Sequence, residues 1–101
     1  MSEVPPAQAA EDLARALRRG EPGALERWFQ AEHPRIWKLC FGFLADGTEA
    51  DDAAQDAMLQ LSDHMDDWDA TRPYAAWRNT IVLNLCRCLL YTSDAADEWL
   101  R

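Results

Sequence analysis

The 101-residue chain is poor in the residues from which active sites are usually assembled. It has four glycines, none grouped into a phosphate-cradling loop. Its two histidines, His33 and His64, stand apart, so neither forms a nucleophile–base pair. Its three cysteines, Cys40, Cys86 and Cys88, make no even disulfide framework, and no C-x-x-C or paired His sits at zinc spacing. Long apolar runs are also lacking: each is short and interrupted by charge, which excludes a membrane span. The opening "MSEVPPAQAA" has neither the basic start nor the apolar stretch of a secretory signal, so the expected location is the cytoplasm. No catalytic, metal or cofactor site is expected from this inventory.

What remains is a small globular chain with 49% hydrophobic residues, five of them Trp, enough for one modest core and no second domain. The net charge of −8 argues against simple nonspecific nucleic-acid binding, but the charge is unevenly distributed. Asp46, Glu49, Asp51, Asp52, Asp56, Asp63, Asp66, Asp67 and Asp69 follow one another with no Lys or Arg between them. From Ala70 to Ser93 the sign reverses, with Arg72, Arg78 and Arg87 and no acid. Two partners of opposite sign would suit such a division.

The periodicity predicts an all-α bundle of about four helices. Residues 1–10 read as a loose, disordered start. "AEDLARALRR" forms a first helix stopped by Gly20 in a left-handed conformation, with Arg18 and Arg19 at the negative end of its dipole. Pro22 opens the second helix, which places Leu25, Trp28, Phe29, Ile36, Trp37, Leu39, Cys40 and Phe43 at core spacing and kinks or breaks at Pro34. Thr48 caps a third helix from about Glu49 to Asp66, in which Ala50, Ala54, Ala57, Leu61, Met65 and Trp68 make a narrow apolar stripe. At about 100° per residue the opposite face carries Asp52, Gln55, Asp56, Leu59, Asp63 and Asp66. An exposed Leu rimmed by carboxylates and an amide fits a partner helix that brings Arg or Lys around a small apolar contact. A solvated acidic face with one incidental Leu is the plainer alternative. In the last helix, begun by Asp69 or Thr71 and Pro73, the expected buried stripe is Tyr74, Trp77, Ile81 and Leu85, with Asn84 near it as a satisfied buried amide.

Residues 12–87 resemble region 2 of the bacterial sigma-70 family, in particular its compact extracytoplasmic-function (ECF) type. Three segments carry the resemblance, in the family's order: "DLARALRRGEPGALERWFQAEHPRIWKLCFGFLAD", "TEADDAAQDAMLQL" and "WDATRPYAAWRNTIVLNLCR". The resemblance implies a transcription-initiation module without catalysis of its own, residues 11–87 forming the helical domain. The acidic helix would bind the clamp coiled coil of core RNA polymerase through Asp52, Gln55, Asp56, Leu59 and Asp63. The following loop and helix would engage the single-stranded, non-template minus-ten element of promoter DNA through Arg72, Pro73, Tyr74, Trp77, Arg78, Asn79 and Arg87. Phosphates call for Arg, unstacked bases for aromatic or guanidinium faces, and base edges for amides. Burial competes for Tyr74 and Trp77, which leaves Arg72, Arg78 and Asn79 better placed. An anti-sigma factor is a further implied partner. A helical adaptor that keeps the acidic docking face but binds no DNA is the alternative.

After Arg87 the family continues into a basic run, a linker and a second helical domain, whereas "CLLYTSDAADE" stands here. Cys88 to Glu98 resemble a translated sequencing-library adapter, the transposase end sequence. Residues 88–101 are therefore expected to be a non-native tail, whose charge belongs in no functional argument. The Cys-x-Cys then straddles the join.

Overall fold

The computed structural model describes the backbone of residues 6–99 and the side chains of residues 8–90. Over that span the chain forms four α-helices, one short 3-10 turn and no strand. The first helix, α1 (Pro6–Arg18), starts within the segment expected to be loose and buries Ala10 and Ala14. It stops where the sequence predicts. Gly20 takes φ 70 and donates its N–H to Leu17, while the Glu21 N–H reaches back to Ala16, so two terminal carbonyls are satisfied by one left-handed residue.

The second helix, α2 (Ala24–Leu44), begins two residues after Pro22, behind the left-handed Gly23. It does not break at Pro34. That residue and Gln30, the residue whose carbonyl loses its helical N–H, are both exposed, so water can take the freed bond. The buried positions are Ala24, Trp28, Glu32, Ile36 and Cys40, a stripe at steps of four. Leu25, Phe29 and Phe43, expected in the core, are instead exposed one position round the helix. Trp37 is half-buried; it stacks on Phe41 at 5.0 Å and donates its indole N–H to Asp51 at 2.6 Å.

The third helix, α3 (Gly47–Asp63), is capped by Asp46 rather than Thr48: the Asp46 carboxylate accepts the Glu49 N–H at 2.9 Å. Ala50, Ala53, Ala54, Ala57, Met58 and Leu61 are buried, and their small side chains let α2 pack closely along the helix. Beyond α3, the 3-10 turn Met65–Asp67 carries Met65 and then Trp68 into the core.

The last helix, α4 (Tyr74–Trp99), buries Tyr74, Arg78, Val82 and Cys86. This stripe is rotated by one residue from the expected one. Trp77, Ile81 and Leu85 flank it half-buried, and Asn84 is exposed rather than a buried amide. The rotation has a physical cause in Arg78, which turns inward to meet an acid on α2. The helix also runs unbroken across Arg87 and Cys88, so the expected boundary after Arg87 coincides with no helix end. Cys86 faces the core and Cys88 the surface, which separates the Cys-x-Cys pair. Cys86 instead meets Cys40 of α2; burial, then the Cys86 thiol, pushes the Cys40 pKa up to about 12, and both thiols are fully buried.

Candidate functional site

Two surfaces correspond to the charge division of the sequence. On α3, Asp52, Gln55, Asp56, Leu59 and Asp63 are all exposed, Leu59 at 62%, with Asp66 just beyond in the 3-10 turn. The same helical rotation that buries the alanines brings these five residues to one outer face. Neighbouring acids have structural tasks: Asp46 caps the helix, Asp51 accepts from Trp37, and Asp67 meets His64 at 3.2 Å. Among the described residues, Asp52, Asp56 and Asp63 have no ion-pair partner. The face therefore holds concentrated negative charge, uncompensated within the bundle, around one exposed aliphatic side chain.

The second surface is built by the connection between the 3-10 turn and α4. Asp69 organises it: its carboxylate accepts both the N–H and the hydroxyl of Thr71, at 3.0 and 2.7 Å, and its carbonyl accepts the Arg72 N–H. The Thr71 bonds hold the Asp69 carboxyl below the usual range. Trp68 closes the turn by donating its indole N–H to the Arg72 carbonyl at 3.0 Å. Asp69 thus folds the loop rather than capping α4. The result is an open depression of about 470 Å³, lined by Trp68, Arg72, Pro73 and Trp77 together with Asp67, Asp69, Ala76 and Thr80. Arg72 is an exposed cation in its lining, with a side chain 81% exposed and 3.8 Å from Asp69. An indole face, a proline and a guanidinium around such a depression can receive a flat unstacked ring next to a phosphate.

Other residues expected on this surface lie elsewhere. Tyr74 is completely buried; its hydroxyl donates to Glu32 at 2.7 Å and accepts the Trp28 indole N–H at 3.0 Å. Burial, then the Glu32 carboxylate, pushes the pKa of its phenol far above the ordinary value, so the hydroxyl keeps its proton. Arg78 is buried as well, with Nη1 at 2.8 Å from both oxygens of Glu32, and its Nε occupied by the Asn79 amide oxygen at 3.0 Å. A guanidinium held there cannot reach a phosphate. Both residues are therefore structural, and Asn79 is half-buried with its oxygen committed to Arg78. Arg87 is exposed but lies about 15 Å further along the axis of α4 than Trp77.

Sequence reasoning missed Glu32. Its position midway between Trp28 and Ile36, in step with Cys40, was the available sign: an acid inside an apolar stripe needs a buried cation, and Arg78 is that cation. It also missed Trp68 as a wall of the depression. No three His, Cys, Asp or Glu side chains among the described residues converge as a metal site, and no described helix is long and apolar enough to cross a membrane.

The described residues form a strand-free helical bundle with one acidic helix face and, beside it, a polar loop opening onto an indole-lined depression. The sigma-70 region 2 family matches residues 28–92, and the chain belongs to that family. Among curated proteins it is similar to the ECF RNA polymerase sigma factor SigW of Bacillus subtilis (strain 168), with 28% identity over 69 residues. That alignment takes in 68% of this chain and 37% of the relative, so the chain spans well under half of the protein it matches.

Proposed function

We propose that the chain is a sigma-factor region 2 module for transcription initiation, docking on core RNA polymerase through α3 and presenting the Trp68–Pro73 loop to the single-stranded minus-ten element of promoter DNA. The observation that carries this reading is the α3 face: Asp52, Asp56 and Asp63 stand unpaired among the described residues around the exposed Leu59. Unpaired surface acids around an apolar centre favour a basic partner helix, where charge steers and the Leu gives a desolvated contact. A coiled coil of core RNA polymerase is the helix this reading puts there, and membership of the sigma-70 region 2 family supports it. The relative's description as an RNA polymerase sigma factor of ECF type agrees with it. An anti-sigma factor is a further partner this reading allows.

For DNA, Arg72, Pro73 and Trp77 form the proposed contact set, with Arg87 as an outlying phosphate ligand. Tyr74 and Arg78 support them from inside the bundle. The acids Asp67 and Asp69 line the same depression with Arg72 as the one Lys or Arg among its described lining residues, which favours weak DNA binding and supports the adaptor as a second reading.

The test is dual binding by the wild-type chain. Immobilised bacterial core RNA polymerase should retain it, and a labelled single-stranded DNA of random sequence should bind with an affinity that falls as salt rises. Arg72→Ala should weaken that DNA binding and flatten its salt dependence while leaving retention by polymerase intact. Retention by polymerase with no DNA binding would support the adaptor; no retention would refute the docking assignment.

A further inference from the structure

The DNA-facing loop is held from outside, by α1. Three of its successive alternate carbonyls are taken by side chains: Trp68 O by Arg18 Nη1 at 2.9 Å, Ala70 O by Arg15 Nη2 at 3.0 Å, and Arg72 O by the Trp68 indole. The first N–H of α4, that of Tyr74, donates to Glu11 Oε1 at 3.1 Å. The other oxygen of Glu11 holds Arg15 Nη2 at 3.0 Å, so the acid and the base brace each other as well as the loop. Arg15 and Arg18 also lie 5.1 and 5.5 Å over the Trp68 ring. Glu11, Arg15 and Arg18 share one face of α1 at steps of four and three.

This arrangement exceeds what a connection requires. Surface loops ordinarily leave their carbonyls to water. Here three charged side chains of one helix are directed at loop backbone, at Trp68, Ala70 and Tyr74, on both sides of Arg72 and Pro73, which line the open depression together with Trp68 and Asp69. From this geometry we infer that Glu11, Arg15 and Arg18 are positioning residues that pre-set the Trp68–Tyr74 segment for a single-stranded nucleic acid. Fixing the loop in advance removes the ordering cost that a ligand would otherwise meet on binding. The inference rests on the proposed DNA contact, and it assigns α1 a part in that contact although none of its side chains need touch the strand.

Hydrogen–deuterium exchange and fluorescence-anisotropy binding of a labelled random-sequence single-stranded DNA, carried out on the full chain, test it. Glu11→Ala and the double variant R15A/R18A should speed exchange across residues 68–74 by about tenfold, the effect expected when a charge-assisted backbone bond is lost. They should also weaken DNA binding by a similar factor while helix content by circular dichroism stays unchanged. Glu11→Gln keeps an oxygen for the Tyr74 N–H and Arg18→Lys keeps a cation for the Trp68 carbonyl, so both should recover most of the protection and most of the affinity. Arg72→Ala serves as the control. Loss of binding by R72A together with wild-type binding by E11A and R15A/R18A would overturn the bracing role and leave the DNA contact standing. Wild-type binding by R72A too would instead sink the DNA contact, and the bracing role with it.

Discussion

The outer face of α3 and the buried junction of α2 with α4 both contain charged residues set among apolar ones, yet their charges do opposite things. On α3, Asp52, Asp56 and Asp63 are exposed around Leu59, with no ion-pair partner among the described residues. At the junction, Glu32 and Arg78 are taken out of water and satisfied by each other, by the Tyr74 hydroxyl and by the Asn79 amide. Among the described residues no buried side-chain polar atom is left without a hydrogen bond. The residue types would not have sorted these two groups; burial does. Charge at the surface is available to a partner, and charge in the interior is already spent on the fold.

The largest effect should come from breaking the interior pair on one side. Glu32→Ala leaves the Arg78 guanidinium buried without its counter-ion and should cost about 3–5 kcal/mol in urea unfolding, enough to threaten the fold of a domain this size. Replacing both members with apolar residues of similar volume should cost far less, since no orphan charge then remains. A next, smaller loss is expected from Tyr74→Phe. It removes the hydroxyl between the Trp28 indole and the Glu32 carboxylate, and leaving the buried indole N–H unpaired should cost about 1–3 kcal/mol.

A gentler perturbation separates the loop from both regions. The Tyr74 N–H, then the Arg15 guanidinium, holds the Glu11 carboxyl below its ordinary value of 4.5. Because the folded form binds the proton more weakly than the unfolded one, the stability Glu11 contributes is complete above that ordinary value. It is lost as pH falls through the lower folded one. Exchange protection of residues 68–74 should therefore hold from neutrality down to mildly acidic solution and fail below it. In Glu11→Gln the part of that acid step seen at the Tyr74 N–H should be absent, while the part that Asp69 contributes at Thr71 should remain.

The α3 half of this contrast was legible in the sequence because its two signals agree. The alanine and leucine stripe and the acidic face each mark the same rotation, so the exposed and buried positions fall where periodicity puts them. Gly20 was legible for a similar reason, one residue type having one conformational use. The α2–α4 half was not, because an interior ion pair violates the assumption that charge faces out. Once Arg78 is assigned to DNA, the stripe of α4 has to be read one position away, on Trp77, Ile81 and Leu85. The same assumption turned Leu25 and Phe29 inward when Glu32 held the buried place. Contacts between distant segments, such as Glu11 with Tyr74 or Arg18 with the Trp68 carbonyl, leave no periodic trace at all. Of the proposed DNA set, Arg72 and Pro73 are exposed because they sit in a loop, where surface exposure is the default, and Trp77 is half-buried beside them.

The contrast is tested most directly by charge reversal at the exposed end, which should have the smallest effect on stability and the largest on function. Equilibrium binding of wild type and Asp56→Arg to bacterial core RNA polymerase should be compared, with urea unfolding measured on the same samples. The variant should unfold within about 0.5 kcal/mol of wild type, as surface substitutions do, and should lose polymerase binding. Undiminished binding by an intact Asp56→Arg would contradict the assignment of α3 as the docking face.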